Sequence, residues 1–308
     1  MKNWMGLLLG AVLAAPGSLL AAKPLNVFTT TADLADVVRA VGGERVRVES
    51  LSKGYQDAHF VEAKPSLIVK LMSADLFIQT GLELEAGWAT VLVQGSRNSR
   101  IQLGAPGYLD ASSAVKPLEV PQNPDRAMGD VHPGGNPHYM LDPENVRLVA
   151  REIAKRLSSL SPADSAFFRE RLGNFEVRLE ENLRKWKERM EPFRGARFVS
   201  YHRNLPYFAD RFGLISVGEV EPKPGIPPTA AHTADLIGRM KAEKVGLIIT
   251  QPYYEDRSPA SIAKQTGATV VVFSMAPSGE PGGSDYFSNM DANIESVRRA
   301  LAAAAGTK

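Results

Sequence analysis

Between residues 162 and 190 the chain carries one long apolar stripe, and its length limits the folds available. Pro162 follows Ser161 as a first-turn residue follows a cap, and Phe168, Leu172, Phe175, Leu179, Leu183, Trp186 and Met190 recur at spacings of three and four. Pro192 and Gly195 end the pattern, so the sequence predicts one helix of about 30 residues, roughly 45 Å long at 1.5 Å per residue. A rod of that length exceeds the width of one small domain. A coiled-coil strand is the rival reading, but the segments on either side favour a spine that runs along two halves of the molecule. Its charged flank, with Arg169, Glu170, Arg178, Glu180, Glu181 and Lys185, reads as a solvated face.

Those two halves share one rhythm. Before the rod, β-rich runs at 25–29, 45–51 and 74–80 alternate with helical stretches at 32–41 and 66–72. After it, strands are expected at 197–200, 215–220, 245–250 and 269–273, with helices at 205–212, 229–242, 259–266 and 285–304. Such alternation argues a parallel α/β sheet in each half. The organisation expected is a leader at 1–22, an N-terminal lobe at 23–160, the linking helix at 161–194 and a C-terminal lobe at 195–308. Prolines at 106, 117, 121, 124, 133 and 137 mark 104–137 as the longest irregular stretch, and EPKPGIPP at 221–228 is a second rigid loop.

Composition narrows the chemistry. With 308 residues, 36 Lys and Arg against 34 Asp and Glu give a net charge of +2, which does not suit a nucleic-acid surface. Cysteine is absent, which excludes disulfides, thiolate metal sites, cysteine catalysis and a lipid-bearing cysteine. Any metal site must use histidine and carboxylates. Residues 4–22 are apolar with one preceding cation, Lys2, and the small residues Ala21 and Ala22 suit a signal-peptide cut; a retained membrane anchor is the rival. The expectation is an exported protein, soluble after cleavage.

The five histidines can be weighed one by one. His59 lies in GYQDAHFVEAKPS, His138 in GNPHYMLDP and His202 in VSYHRNLPYF, directly after an expected strand. A single loop histidine is ordinarily a surface or hydrogen-bonding residue. Each of these three, however, opens a helix, two in the first half and one in the second, so halves set face to face would bring all three to one cleft. Three imidazoles suit Zn²⁺ better than the oxygen-preferring Mg²⁺ or Ca²⁺. His132 reads as an ordinary loop residue, an accessory role being the alternative that its closeness to His138 permits, and His232 as a structural hydrogen-bonding group. Glu221 and Gln251 are candidates to orient the imidazoles.

The pieces QDAHFVEAKPS, GNPHYMLDP, YHRNLPYF and DYFSNMDANIESV resemble the cluster A-I solute-binding proteins of zinc and manganese ABC importers, across essentially the whole chain after the leader. The resemblance implies two Rossmann-like lobes joined by one long backbone helix, with a divalent metal held between them by His59, His138 and His202. It implies Zn²⁺ as transported ligand, with Mn²⁺ as the alternative; manganese members often carry an acid at the third position. It also implies periplasmic location, a permease and ATPase as partners, no nucleic acid, a monomer and no catalysis. Two features depart from the family. Its usual aspartate after the last strand is replaced where this chain reads Phe273, Ser274, Met275, leaving Asp285, Glu280 or water as fourth ligand, with Asp285 preferred. The His-rich loop of many zinc members is reduced to His132. A zinc hydrolase is the rival class, since three histidines and an open position also form a catalytic layout, but HExxH, GxSxG and triad patterns are missing. A surface adhesin is the third.

Overall fold

The structure, a computed structural model, describes residues 23–123, 132–277 and 283–306. The expected leader at 1–22 and Glu280 lie outside the described residues. Strands β1 (Leu25–Thr29), β2 (Val46–Ser50), β3 (Leu76–Gln79) and β4 (Tyr108–Asp110) form a fully parallel sheet in the order β2-β1-β3-β4. A second parallel sheet, in the order β6-β5-β7-β8, holds β5 (Arg197–Ser200), β6 (Ile215–Glu219), β7 (Leu247–Thr250) and β8 (Thr269–Val272). The first sheet is accompanied by α1 (Ala32–Gly42), α2 (Pro65–Leu71), α3 (Ala89–Gly95) and α4 (Pro143–Leu160). The second is accompanied by α6 (Pro206–Phe212), α7 (Ala230–Ala242), α8 (Arg257–Thr266) and α9 (Tyr286–Gly306). Between them runs α5 (Ser165–Met190), extended by 3-10 turns at Pro162–Asp164 and Glu191–Phe193.

The two-lobe α/β expectation holds, with one correction inside 104–137. That stretch is not wholly irregular: Tyr108–Asp110 pairs with β3, and a 3-10 turn follows at Ala111–Ala114. Pro106 and Pro117 bracket the element without entering it, and a three-residue strand at the sheet edge needs ladder bonds on one side only.

Strand periodicity sorts the core. Val27, Leu76 and Ile78 face one apolar cluster while Phe28 and Phe77, their neighbours in sequence, face another. In the second sheet Phe198, Leu247, Ile249 and Val271 join the first of these clusters, and Val199 and Ile248 point to a third. One face of each sheet thus contributes to a single continuous core, and α5 lies within it.

On α5, Phe168, Phe175, Leu179, Leu183, Trp186 and Met190 are buried, and Leu172 is partly buried against the same cluster. The N-terminal lobe holds the rod through three side chains: Arg171 Nε donates to the Ala40 carbonyl at 2.8 Å, and Glu176 and Glu180 pair with Arg151 and Arg147 of α4. From the C-terminal lobe the same rod is held by α9. Phe175 and Trp186 pack on Phe287 at ring distances of 5.4 and 6.4 Å, and Trp186 Nε1 donates to Asp291 at 2.8 Å.

Trp186→Ala should therefore remove packing from a core shared by both lobes and cost about 3–5 kcal/mol. In denaturant unfolding followed by fluorescence and circular dichroism, both lobes should unfold in one transition at a lowered midpoint. Two separated transitions in the parent protein would show that α5 does not unite them.

Candidate metal centre

The loop between β2 and α2 supplies His59, the segment between β4 and α4 supplies His138, and the turn from β5 to α6 supplies His202. These segments lie beyond the carboxyl ends of parallel strands, where such folds leave a crevice. One ring nitrogen from each histidine lies within 4.8 Å of the other two. Ring centroids are 5.3 Å apart for His59 and His138, 5.3 Å for His59 and His202, and 5.5 Å for His138 and His202.

Each ring is oriented by one oxygen. His59 Nδ1–H donates to Asp57 Oδ1 at 2.7 Å, His138 Nδ1–H to Asn136 Oδ1 at 3.0 Å, and His202 Nδ1–H to Glu221 Oε1. These oxygens only accept, so each ring carries a proton on Nδ1, and in the neutral imidazole Nε2 is then the nitrogen with the free lone pair. Asp57 and Asn136 do their work twice: each also accepts the backbone N–H of the histidine two residues on, at 3.0 Å in both cases. The Asp-x-His and Asn-x-His turns are thus one local device used twice. Glu221 arrives differently. Val220 N–H donates to the Ser200 carbonyl and Glu221 N–H to the Tyr201 carbonyl, so the β5–β6 pairing carries the carboxylate to His202.

Of the residues the sequence nominates, Glu221 is where an orienting group should be. Gln251 is buried but its side-chain N and O have no hydrogen-bond partner, so it does not hold an imidazole. His232 Nε2–H donates to the Glu219 carbonyl at 2.9 Å, the structural role expected for it. Asp285 requires correction. Its Oδ1 accepts from Ser288 N and Oγ at 2.7 Å each, and its Oδ2 pairs with Arg178 at 3.1 Å. It caps α9 and ties it to α5, so it does not join the histidines. Ser274, just past β8, is buried and donates its hydroxyl to the Ala276 carbonyl. His132, nominated only as accessory, brings its Nε2 to 3.2 Å from His59 Nε2.

The lobes are joined beside the site. Arg203, Tyr207 and Arg211 recur every four residues and reach across. Arg211 meets Asp142 with two hydrogen bonds of 2.6 and 2.7 Å, Tyr207 Oη donates to the Asn136 carbonyl and accepts from Leu118 N–H at 2.8 Å, and Arg203 pairs with Glu119 at 2.8 Å. Asn136 Nδ2 donates to the Arg203 carbonyl at 2.8 Å, so the residue that orients His138 also grips the residue after His202. A cavity of about 710 Å³, lined among others by Pro121, His138, His202, Glu221 and Pro222, opens from the cluster between the loops at 119–121 and 221–224.

A spine helix, two parallel-sheet lobes and bare imidazole nitrogens in the crevice between them define the class of two-lobe solute-binding proteins. A family profile described as ZnuA, zinc-uptake complex component A, periplasmic, matches residues 27–300, and the chain belongs to this family, the cluster A-I substrate-binding components of metal ABC transporters. It is a transport protein and not an enzyme. Among curated relatives, the metal ABC transporter substrate-binding lipoprotein ScbA of Streptococcus cristatus is 26% identical over 288 residues, covering 90% of this chain and 89% of its own. The manganese ABC transporter substrate-binding lipoprotein PsaA of Streptococcus pneumoniae serotype 4 is 24% identical, covering 91% and 90%. Two solved structures share the fold. A crystal structure of ZnuA superposes with a TM-score of 0.77 at 24% identity, covering 91% of this chain and 100% of its own. A Mn-bound periplasmic metal-binding protein from Candidatus Liberibacter asiaticus gives 0.74 at 19% identity, covering 90% and 99%.

Burial pushes the His138 pKa well below its usual 6.5, and the neighbouring imidazoles add to the effect; the same causes lower His132 to about 4. Unfolded, both titrate near 6.5. As pH falls through that window the unfolded chain takes up protons that the folded chain refuses, so this part of the stability is complete only above about pH 6.5 and is lost on acidification. Between about pH 7.5 and pH 5 the denaturant midpoint of the metal-free protein should fall, and fall less in His138→Gln, whose carboxylates are unchanged. Equal falls in both proteins would show that His138 does not contribute.

Proposed function

We propose that this chain is an exported carrier that captures Zn²⁺ in the periplasm through Nε2 of His59, His138 and His202 and passes it to a membrane permease driven by an ATPase. The observation that carries this reading is the set of three converging imidazoles, each with its Nδ1 against an oxygen acceptor. Neutral imidazole bound through one nitrogen, with the other donating to an oxygen, is the state in which histidine ligates zinc. Asp57 and Glu221 stand behind two of the rings, which suits a divalent cation and raises the basicity of the nitrogens facing it.

The family's members and relatives are named for both zinc and manganese, so the choice of ion rests on the donors. Nitrogen donors follow the affinity order that places Zn²⁺ above Mn²⁺, while manganese favours oxygen. Delivery requires the site to loosen without wide opening. The lobes share one core along α5, so release is expected from a modest tilt of the second lobe and motion of the loops bearing His59 and His202.

Isothermal titration of the metal-free protein should give one tight Zn²⁺ site, with Mn²⁺ displaced in competition. His59→Ala, His138→Ala and His202→Ala should each weaken zinc by more than about 100-fold, and Asp57→Ala or Asn136→Ala by about 10–100-fold. Unchanged affinity in two of the three histidine variants would refute the ligand assignment. Failure of the parent to bind at micromolar zinc would end the carrier reading, and preferential retention of Mn²⁺ would reverse the choice of ion.

A further inference from the structure

We infer that His132 supplies a fourth nitrogen to the same ion, completing an all-imidazole site; the inference rests on the reading of the cluster as a transition-metal site. His132 Nε2 stands 3.2 Å from His59 Nε2, with ring centroids 5.3 Å apart. The Asp57 bond keeps the His59 proton on Nδ1, so it is a lone pair of His59 that meets His132. Two nitrogens each about 2.0–2.1 Å from one tetrahedral ion are separated by about 3.3–3.4 Å, close to the spacing found. The backbone of Leu82 also hydrogen-bonds the His132 ring in the sense that favours a ring proton, as a carbonyl does. With Nε2 turned to His59, Nδ1 is the atom left for Leu82. His132 then repeats the pattern of the other three rings, one nitrogen tied to an oxygen and the other turned inward.

Among the described residues, the competing donors named above are engaged. Asp285 caps α9 and pairs with Arg178, and the Ser274 hydroxyl is donated to Ala276. Among the described residues, the group whose donor atoms all lie within 4.8 Å of one another contains no carboxylate. His132 touches this group at His59 and lines the same cavity as His138 and His202, so a small ring movement on binding brings it to the common ion. A fourth neutral nitrogen in place of the family's carboxylate favours Zn²⁺ over Mn²⁺ and leaves the bound ion with a higher net positive charge.

The test uses the whole protein with ¹⁵N-labelled histidine, following ring nitrogens by long-range ¹H–¹⁵N NMR during titration with zinc alone. The expected result is a metal-induced Nε2 shift in His59, His132, His138 and His202 at one equivalent, with His232 unmoved. His132→Gln should bind zinc about 10–100-fold more weakly while its affinity for Mn²⁺ changes less. Shifts confined to His59, His138 and His202 would overturn the inference and leave the carrier reading standing. Zinc affinity in His132→Gln equal to the parent's would overturn it as well. Absence of a zinc-induced shift in every histidine would instead remove the metal site on which both depend.

Discussion

A single rod seated in two lobes sets the distance across which the imidazoles must meet. Arg171 and the Glu176 and Glu180 carboxylates fasten α5 to α1 and α4, while Trp186 and Phe175 lie against α9. Because the apolar faces of both sheets close on this one helix, moving one lobe far from the other would expose part of a continuous core. Hydrophobic burial at about 25 cal/mol per Å² makes such exposure costly even for a few side chains. The geometry of the crevice is therefore a property of the core, and the loops that carry His59, His138 and His202 work within limits that α5 imposes.

Within those limits Asn136 couples the site to the lobe interface. Its Oδ1 holds His138, its Nδ2 holds the Arg203 carbonyl, and its own carbonyl takes the Tyr207 hydroxyl. A small displacement of the second lobe pulls on Asn136 and so on His138, while His202 moves with Arg203. Both pairs are bidentate, but Arg211 and Asp142 resist that displacement more than Arg203 and Glu119 do, since Asp142 is largely buried and the Arg203 pair is more exposed to water. Loss of the exposed pair is the cheaper first step, and it lies on the side where the cavity opens between residues 119–121 and 221–224.

Most of this architecture is legible in residue patterns because it depends on periodicity. The strands, the long helix and the two halves follow from alternations of two and of three to four. Helix α3 and strand β4 are not singled out: α3 lacks the opening proline that marks the equally short α2 and α6, and three residues of strand offer too few periods to read. The three histidines are legible because each follows or opens an element. Asp57 and Asn136 went unread although DAH and NPH display an Asx two residues before a histidine in both motifs; the signal is present but only the doubled turn gives it meaning. Asp285 misled for a related reason. An aspartate before a helix serves equally as cap or ligand, and only its bonds to Ser288 and Arg178 decide.

The metal-free site is itself a compromise. Three inward nitrogens face one another in a buried crevice, and among the described residues Asp57, Asn136 and Glu221 hold the ring protons on the outer nitrogens. Protonating the inner nitrogens would bring like charges close together where burial already disfavours charge, as the depressed pKa of His138 reflects. A divalent cation relieves both terms at once, accepting the lone pairs and facing the Asp57 and Glu221 carboxylates through the rings. The same oxygens that fix the tautomer thus turn the free lone pairs inward, where a cation from outside the chain relieves their mutual repulsion.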